Sequence, residues 1–440
     1  MILIRGGRVM DPVSGMDRVT DVLVCGAFIA AVGDDIDIAR EAEKMAGLGI
    51  LPEGSAVKEI DASGLIVAPG LMDAHVHFRD PGQTYKEDVF SGARAAAKGG
   101  FTTVICMANT IPPVDTPERL KALQEREESA CIHVLQAACV TEGMKGKRLT
   151  DMEALAAAGA VSFTDDGLPI LDEKVLEAAF IKAAELDIPV SLHEEDPAYI
   201  DAPGVNKGRV AELLNYGGAS HLAEDVMVQR DCDIALRTGA SVCIQHISSG
   251  YSVDIVRKAK AKGADVHAEA TPHHFTLTED AVLVSGTNAR MNPPLRTEED
   301  RQRIIEGIKD GTIDMIVTDH APHSPEEKAR PMEKAPSGII GLETSLGLGI
   351  LSLVRPGHIS LMKLLHLMST APAEFYRMVP GTIAGGAAAD IVIFSESETW
   401  KADHFRSKSV NSPFIGWELP GRVHFTICAG EIVYDSENED

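Results

Sequence analysis

From Ile66 to about Thr370, short runs rich in Val, Ile, Ala and Thr alternate with longer segments whose apolar residues recur every three or four positions. Short β-rich runs separated by helical patterns predict parallel βα units rather than hairpins. The candidate strands are Ile66 to His77, Thr102 to Ala108, Ile132 to Ala138, Ala160 to Thr164, Pro189 to His193, Ser241 to His246, Asp265 to Ala270 and Met315 to Thr318. Helix punctuation falls between them. Lys86 to Lys98 stops at Gly99-Gly100, Pro117 to Glu127 follows Thr116, and Glu298 to Lys309 follows Thr297 with Asp300 in capping position. Eight such units predict an α/β fold, a (β/α)8 TIM-type barrel over residues 66–374, with its chemistry at the C-terminal ends of the strands.

Residues 1–65 and 375–440 show a different pattern, period-two alternation broken by Gly, in ILIRGGRVMD, DVLVCGAFIAAVG, ADIVIFSE and GRVHFTICAGEIVYD. Together they predict one small β-sandwich domain assembled from both chain ends beside the barrel. Residues 36–56 interrupt the alternation and read as a short helical insertion of no catalytic importance.

Composition narrows the chemistry. A chain of 440 residues with 45% hydrophobic content supports a large domain plus a smaller one. With 41 Lys and Arg against 66 Asp and Glu, its formal charge of -25 would repel a phosphate backbone or an anionic membrane, so neither nucleic acid nor a membrane is expected as a partner. A small anionic substrate is still allowed, because bound metal and one well-placed Arg reverse the field inside a pocket. Seven cysteines without C-x-x-C spacing read as buried thiols of a reducing cytosol. The N-terminal segment lacks a leader pattern and no run approaches ~18 apolar residues, so the expectation is a soluble, cytoplasmic protein.

His75 and His77 stand two apart on a strand, so both imidazoles leave the same face and can meet one ion. Alone, an H-x-H is weak evidence. Four later strands also end in ligand-type side chains: Asp165 and Asp166 in TDDG, His193 in SLHEED, His246 in IQHISS, and Asp319, His320 and His323 in VTDHAPH. Packing would favour Val, Ile or Leu at these positions, whereas polar groups there carry a desolvation cost. Four His and two carboxylates exceed one tetrahedral zinc but suit two ions sharing a carboxylate and a water. Such a pair would supply hydroxide at neutral pH for hydrolysis of an amide, ester or phosphate, with Asp319 as the proton carrier.

Arg79 extends the motif to H-x-H-x-R and is sited to hold a substrate carboxylate; the plain alternative is a rim Arg pairing with Asp80 or Glu87. Asn109 and Asn292 can hydrogen-bond a planar amide ring, although either is also an ordinary turn residue. His273 and His274 in TPHH read as packing or as support behind the ligands. Asp165 and Asp166 face opposite ways, so only one of them points at the metals.

The segments DAHVHFRDPGQTYKED, GGFTTVICMANTIPPVDTPE, TDDG, NPPLR, VTDHAPHSPEEK, SGIIGLETSLGL and FRSKSVNSPFIGWELPGRVHFTICAGEIVY resemble the larger class of bacterial dihydroorotases, within the amidohydrolase superfamily. The likeness runs over nearly the whole chain. It implies reversible interconversion of N-carbamoyl-L-aspartate and L-dihydroorotate in pyrimidine synthesis on a zinc pair. It further implies that His75, His77 and Asp319 hold one ion and His193 and His246 the other. The step from Asp166 to His193 is similar to the family's spacing, so the resemblance implies Asp166 as the bridge, and Arg79, Asn109, Asn292 and His323 fall on the family's substrate-binding positions. The implied mechanism is attack of a metal-bridging hydroxide on the ring carbonyl, with Asp319 shuttling the proton.

Hydantoinases, dihydropyrimidinases and allantoinases are similar in outline and form the rival reading, but they usually bridge their metals with a carboxylated Lys where this chain has TDDG. A second rival is a catalytically silent homologue that partners aspartate transcarbamoylase; such a chain should have lost ligands, and all six positions here are competent. A homodimer and a transcarbamoylase contact are both compatible with the sequence. The chain departs from the family pattern in the insertion at 36–56 and in Ser337, where a bulkier apolar residue is common. Ser324 to Gly338 is a lid candidate.

Overall fold

The computed structural model describes residues 1–52 and 54–438. Eight parallel strands follow one another around a single sheet in chain order: β1 (Leu71–Val76), β2 (Phe101–Cys106), β3 (His133–Ala138), β4 (Ser162–Phe163), β5 (Val190–Leu192), β6 (Val242–Ile244), β7 (Val266–Ala270) and β8 (Met315–Ile316). A parallel bridge between Val76 and His320, with a His77 N–H to His320 C=O bond of 2.9 Å, brings the segment after β8 back against β1. The result is a nearly closed (β/α)8 barrel with helices between the strands.

Strand alternation sorts the core into two layers. Ile105, Met107, Ala137, Cys243, Met315 and Val317 fill the barrel interior, which Phe375 and Tyr376 plug. Val104, Cys106, Ala138, Ile244 and Ile316 face the helices instead. β1 departs from simple alternation: Met72 and Ala74 belong to the interior, whereas Val76 and Phe78 belong to the outer layer. An irregularity in the β1–β2 register between Asp73 and Val76 accounts for the change of phase, as bulges do near active sites. Buried Asp73 fixes it by accepting from the backbone N–H groups of His75 and Thr318, each at 3.1 Å, and from the Thr318 hydroxyl at 2.5 Å. This shift turns His75 and His77 inward.

The expected first strand, Ile66 to His77, is two strands. Ile66–Pro69 pairs with Ile2–Asp11 and Ile391–Ser395 in the terminal sheet, and only Leu71–Val76 joins the barrel. The sequence run misleads because both pieces are fully buried and so look continuous. At the junction, a Cβ on Gly70 would sit 2.1 Å from the Thr102 hydroxyl, so the close approach there needs glycine. The expected helix from Lys86 likewise starts later, at Val89, because the Asp88 carboxylate caps Phe90 and Ser91. Lys86 and Glu87 are thereby left in the preceding turn.

Strands from both chain ends form one eight-stranded sheet. It curls back on itself: Ile29 N–H, on the edge strand Phe28–Gly33, bonds Ala387 C=O at 2.9 Å, and Ile29, Ile60, Ile391 and Ile427 share one core. Within 36–56, apart from Glu53, which lies outside the described residues, Ile38–Gly47 is a helix. Its Met45 covers Leu3, Leu23 and Cys25, so the insertion seals the second face of this sheet. All seven cysteines are free thiols and six are buried, Cys131 being partly exposed. Among the described residues no helix is long and apolar enough to cross a membrane.

Candidate metal centre

The C-terminal strand ends surround a cavity of about 430 Å³ lined by His77, Arg79, Asn109, Asp166, His193, His246, Asn292, Asp319 and His323 among others. His75 lies beneath it, fully buried. The ten candidate residues of the sequence thus come together at one place.

Their donor atoms converge. His75 Nε2 lies 3.5 Å from Asp166 Oδ1 and 3.7 Å from Asp319 Oδ1, and His77 Nε2 lies 3.5 Å from Asp166 Oδ2 and 3.1 Å from Asp319 Oδ1. His193 Nδ1 is 3.8 Å from Asp166 Oδ1 and 2.9 Å from His246 Nε2. Two triads, His75–His77–Asp166 and Asp166–His193–His246, therefore share one carboxylate. Ligands on a tetrahedral ion with bonds of about 2.0–2.2 Å stand roughly 3.3–3.6 Å apart, close to these separations. His75 Nε2 and His246 Nδ1 are buried without a hydrogen-bond partner. Buried polar atoms are normally satisfied, and His75 Nε2 faces two carboxylates, as a nitrogen meant for a cation would.

The electrostatics agree with ligation. Burial alone would raise Asp166, but the adjacent His75, together with the charges of His77 and His193, holds its carboxyl below the usual range. Burial, then the neighbouring His193 and His75, keeps His246 in the neutral form that coordinates metal. Asp165 turns away, accepting from the N–H groups of Val140 at 2.9 Å and Thr141 at 3.1 Å. Arg79, His246 and Asp319 have φ of 58, 30 and 48°, three non-glycine residues held in the left-handed region at the rim of one cavity. Strain of this kind, costing about 1–3 kcal/mol per residue, is typical of functional sites.

Several supporting residues escaped the sequence reading. Glu269, fully buried on β7, accepts from His75 Nδ1 at 2.6 Å and from the His246 N–H at 3.2 Å. Glu195 Oε2 lies 3.0 Å from His193 Nε2. Each fixes which ring nitrogen faces the cavity. Asn109, expected at the substrate, lines the cavity and also ties two ligand candidates together: Oδ1 meets His77 Nδ1 at 3.0 Å and Nδ2 donates to Asp166 Oδ2 at 2.7 Å. His274 binds Thr271 Oγ1 at 2.7 Å and Pro293 C=O at 3.0 Å, buttressing the loop that carries Asn292. Glu269→Gln keeps the shape and removes the charge behind His75. A loss of about 10–100-fold in metal affinity is expected, read by competition with a chelator; unchanged affinity would remove Glu269 from this role.

The anionic end of the cavity is distinct. Arg79 donates through Nε to Pro322 C=O at 3.3 Å and lies 3.4 Å from His323 Nε2. Among the described residues no carboxylate pairs with it: Asp80 pairs with Arg126 at 2.8 Å, and Glu87 bonds Ser91 and Ser407. Burial, followed by the charges of Arg79 and Lys86, pushes His323 far down, so it is neutral. Its Nδ1 faces Lys86 Nζ at 3.3 Å and its Nε2 faces Ser337 C=O at 2.8 Å. Ser337 donates to Asn292 Oδ1 at 3.0 Å, a bond that a bulky apolar residue could not make. The 324–338 segment is tied down by Lys328, whose ammonium binds Pro336 C=O and Gly338 C=O at 3.0 Å each.

Comparison with known proteins follows this geometry. A family described as dihydro-orotase-like matches residues 64–252. The chain is 58% identical to a dihydroorotase of Clostridioides difficile over 99% of this chain and 100% of that one. It is 48% identical to a dihydroorotase of Clostridium acetobutylicum, again over 99% and 100%. Among solved structures, an L-hydantoinase (dihydropyrimidinase) from Arthrobacter aurescens superposes with a TM-score of 0.85 at 24% identity, covering 99% of this chain and 96% of that one. A dihydropyrimidinase from Brevibacillus agri gives 0.83 at 23%, covering 99% and 95%. These structures share the fold.

Proposed function

The chain belongs to the dihydroorotase family, and from that membership we propose that its cavity interconverts L-dihydroorotate and N-carbamoyl-L-aspartate. It is a cyclic amidohydrolase, and the observation that carries the choice of substrate is Arg79. Among the described residues its guanidinium has no carboxylate partner, and it lines the same cavity as the clustered ligands. A carboxylated ring uses such an anchor, whereas a neutral hydantoin leaves it buried and unpaired, a costly arrangement.

The donor set suits two ions of the zinc class: His75, His77 and Asp319 would hold one, His193 and His246 the other, and Asp166 stands between the two groups. When bound, such ions would lower the pKa of a bound water to about 7 and polarise a carbonyl oxygen. Asp319 takes the proton from the nucleophile and carries it to the departing ring nitrogen, and in ring closure it moves the proton the other way. Arg79 holds the substrate carboxylate through its fork of donors. Asn292 faces the ring amide. Asn109 and His323 line the same cavity and meet the substrate there, while their polar atoms also reach His77 and Asp166 in one case and Lys86 and Ser337 in the other. They orient the ligands and the anchor.

The rival cyclic amidases are tested directly by offering the purified protein dihydroorotate, hydantoin, dihydrouracil and allantoin. Opening of dihydroorotate alone is the expected result; preferential opening of a neutral ring would overturn the assignment. A silent homologue would open none.

A further inference from the structure

A second cluster of ligand-type side chains lies at the opposite end of the barrel. His133 is the first residue of β3, Asp390 immediately precedes the strand Ile391–Ser395, and Cys428 closes the strand Arg422–Cys428. The thiol sulfur, an imidazole nitrogen and a carboxylate oxygen all lie within 4.8 Å of one another. His133 Nε2 stands 3.2 and 3.3 Å from the two oxygens of Asp390, close to the roughly 3.3 Å between two ligands of one tetrahedral ion. We propose that His133, Asp390 and Cys428 form a divalent-cation site of the zinc class that joins the terminal sheet to the base of the barrel.

The backbone is arranged to hold this constellation. Asp390 Oδ1 accepts the Ala429 N–H at 2.7 Å, which fixes the carboxylate beside the neighbouring cysteine. Ala429 has φ of 49°, a conformation an alanine adopts only under constraint. The next residue, Gly430, packs so closely that a Cβ there would lie 1.7 Å from Gly26 C=O, so the turn after Cys428 needs glycine. The thiol of Cys428 is buried, while His133 is exposed and opens onto a cavity of about 650 Å³ whose wall also includes Cys131 and Glu431. That cavity is an entry path for an ion. A zinc-class ion would bind a neutral imidazole, a thiolate and a carboxylate here, and any protons these groups held would pass to solvent. Solvent supplies the fourth position.

Sulfur makes this site separable from the catalytic one, because among the described residues no cysteine lines the catalytic cavity. The full chain, stripped with a chelator and reloaded with cobalt(II) alone, should show near-ultraviolet sulfur-to-cobalt charge-transfer absorption, together with more bound metal than the catalytic residues account for. Cys428→Ser and His133→Ala should each abolish that absorption and release one ion per chain, leaving ring opening at the wild-type rate. Cys131→Ser should retain the absorption. If Cys428→Ser fails to fold, His133→Ala carries the test, since that side chain is half exposed. Absence of the absorption in cobalt-loaded wild type, its survival in either ligand variant, or its loss in Cys131→Ser would overturn the proposed ligand set.

Discussion

Asp319→Asn is expected to lower kcat for ring opening and for ring closure by about a hundredfold to ten-thousandfold, with kcat/KM falling by the same factor in both directions. The carboxylate stands at the end of β8, its backbone turned to φ of 48°, with Oδ1 3.1 Å from His77 Nε2 and 3.7 Å from His75 Nε2. It therefore borders both the ligand cluster and the cavity where a substrate sits. Asn preserves its size and one oxygen but has no basicity. Carbamoyl aspartate carries two carboxylates and dihydroorotate one, so closure consumes a proton and opening releases one. A group that carries the proton between the nucleophile and the ring nitrogen serves both directions, and a variant cannot change the equilibrium constant, so kcat/KM for opening and for closure must fall by the same factor. Metal content measured beside the kinetics separates the two roles of the residue. Full occupancy with a collapsed kcat marks loss of the proton carrier, and metal falling in step with activity marks loss of a ligand. Undiminished activity in the Asn variant would refute the shuttle.

The parts of this site that were legible in the sequence share one property. His75, His77, Asp166, His193, His246 and Asp319 are polar residues at the ends of apolar runs, and in a barrel every strand end opens on the same rim. The supporting residues lack such a signal. Glu269 lies within a strand whose flanking residues face the helices, so in VHAEA it reads as simple alternation. Its meaning comes from His75, 194 positions away in the chain. Asp73 is equally silent, since only the register shift beside it makes its carboxylate a clamp between β1 and β8. Boundaries failed for a related reason. Ile66–Pro69 and Leu71–Val76 are both buried throughout, and hydrophobicity does not tell which of two sheets a strand will join. The insertion at 36–56 looked dispensable because its one buried helical side chain, Met45, covers a face formed by other strands.

Arg79→Gln should produce the second large effect, and it should fall on binding of the anion. The guanidinium is held from behind by Pro322 C=O, beside a neutral His323, and burial lowers its pKa while the charges of Asp319 and Asp166 raise it. Removing one member of a buried charged pair costs about 2–5 kcal/mol, which corresponds to roughly thirtyfold to several-thousandfold in kcat/KM. Most of this should appear as a raised KM for both dihydroorotate and carbamoyl aspartate, because the contact is made in the ground state as well as in the transition state. Arg79→Lys should fall between, since it keeps the charge but loses the planar fork. Dihydrouracil supplies the control. It has the ring amide without the carboxylate, so whatever slow opening it undergoes should be nearly indifferent to the substitution, and the preference for dihydroorotate should collapse toward parity. Equal losses on both rings would instead mean that Arg79 shapes the metal cluster, and an unchanged KM for dihydroorotate would sink its role as the anchor.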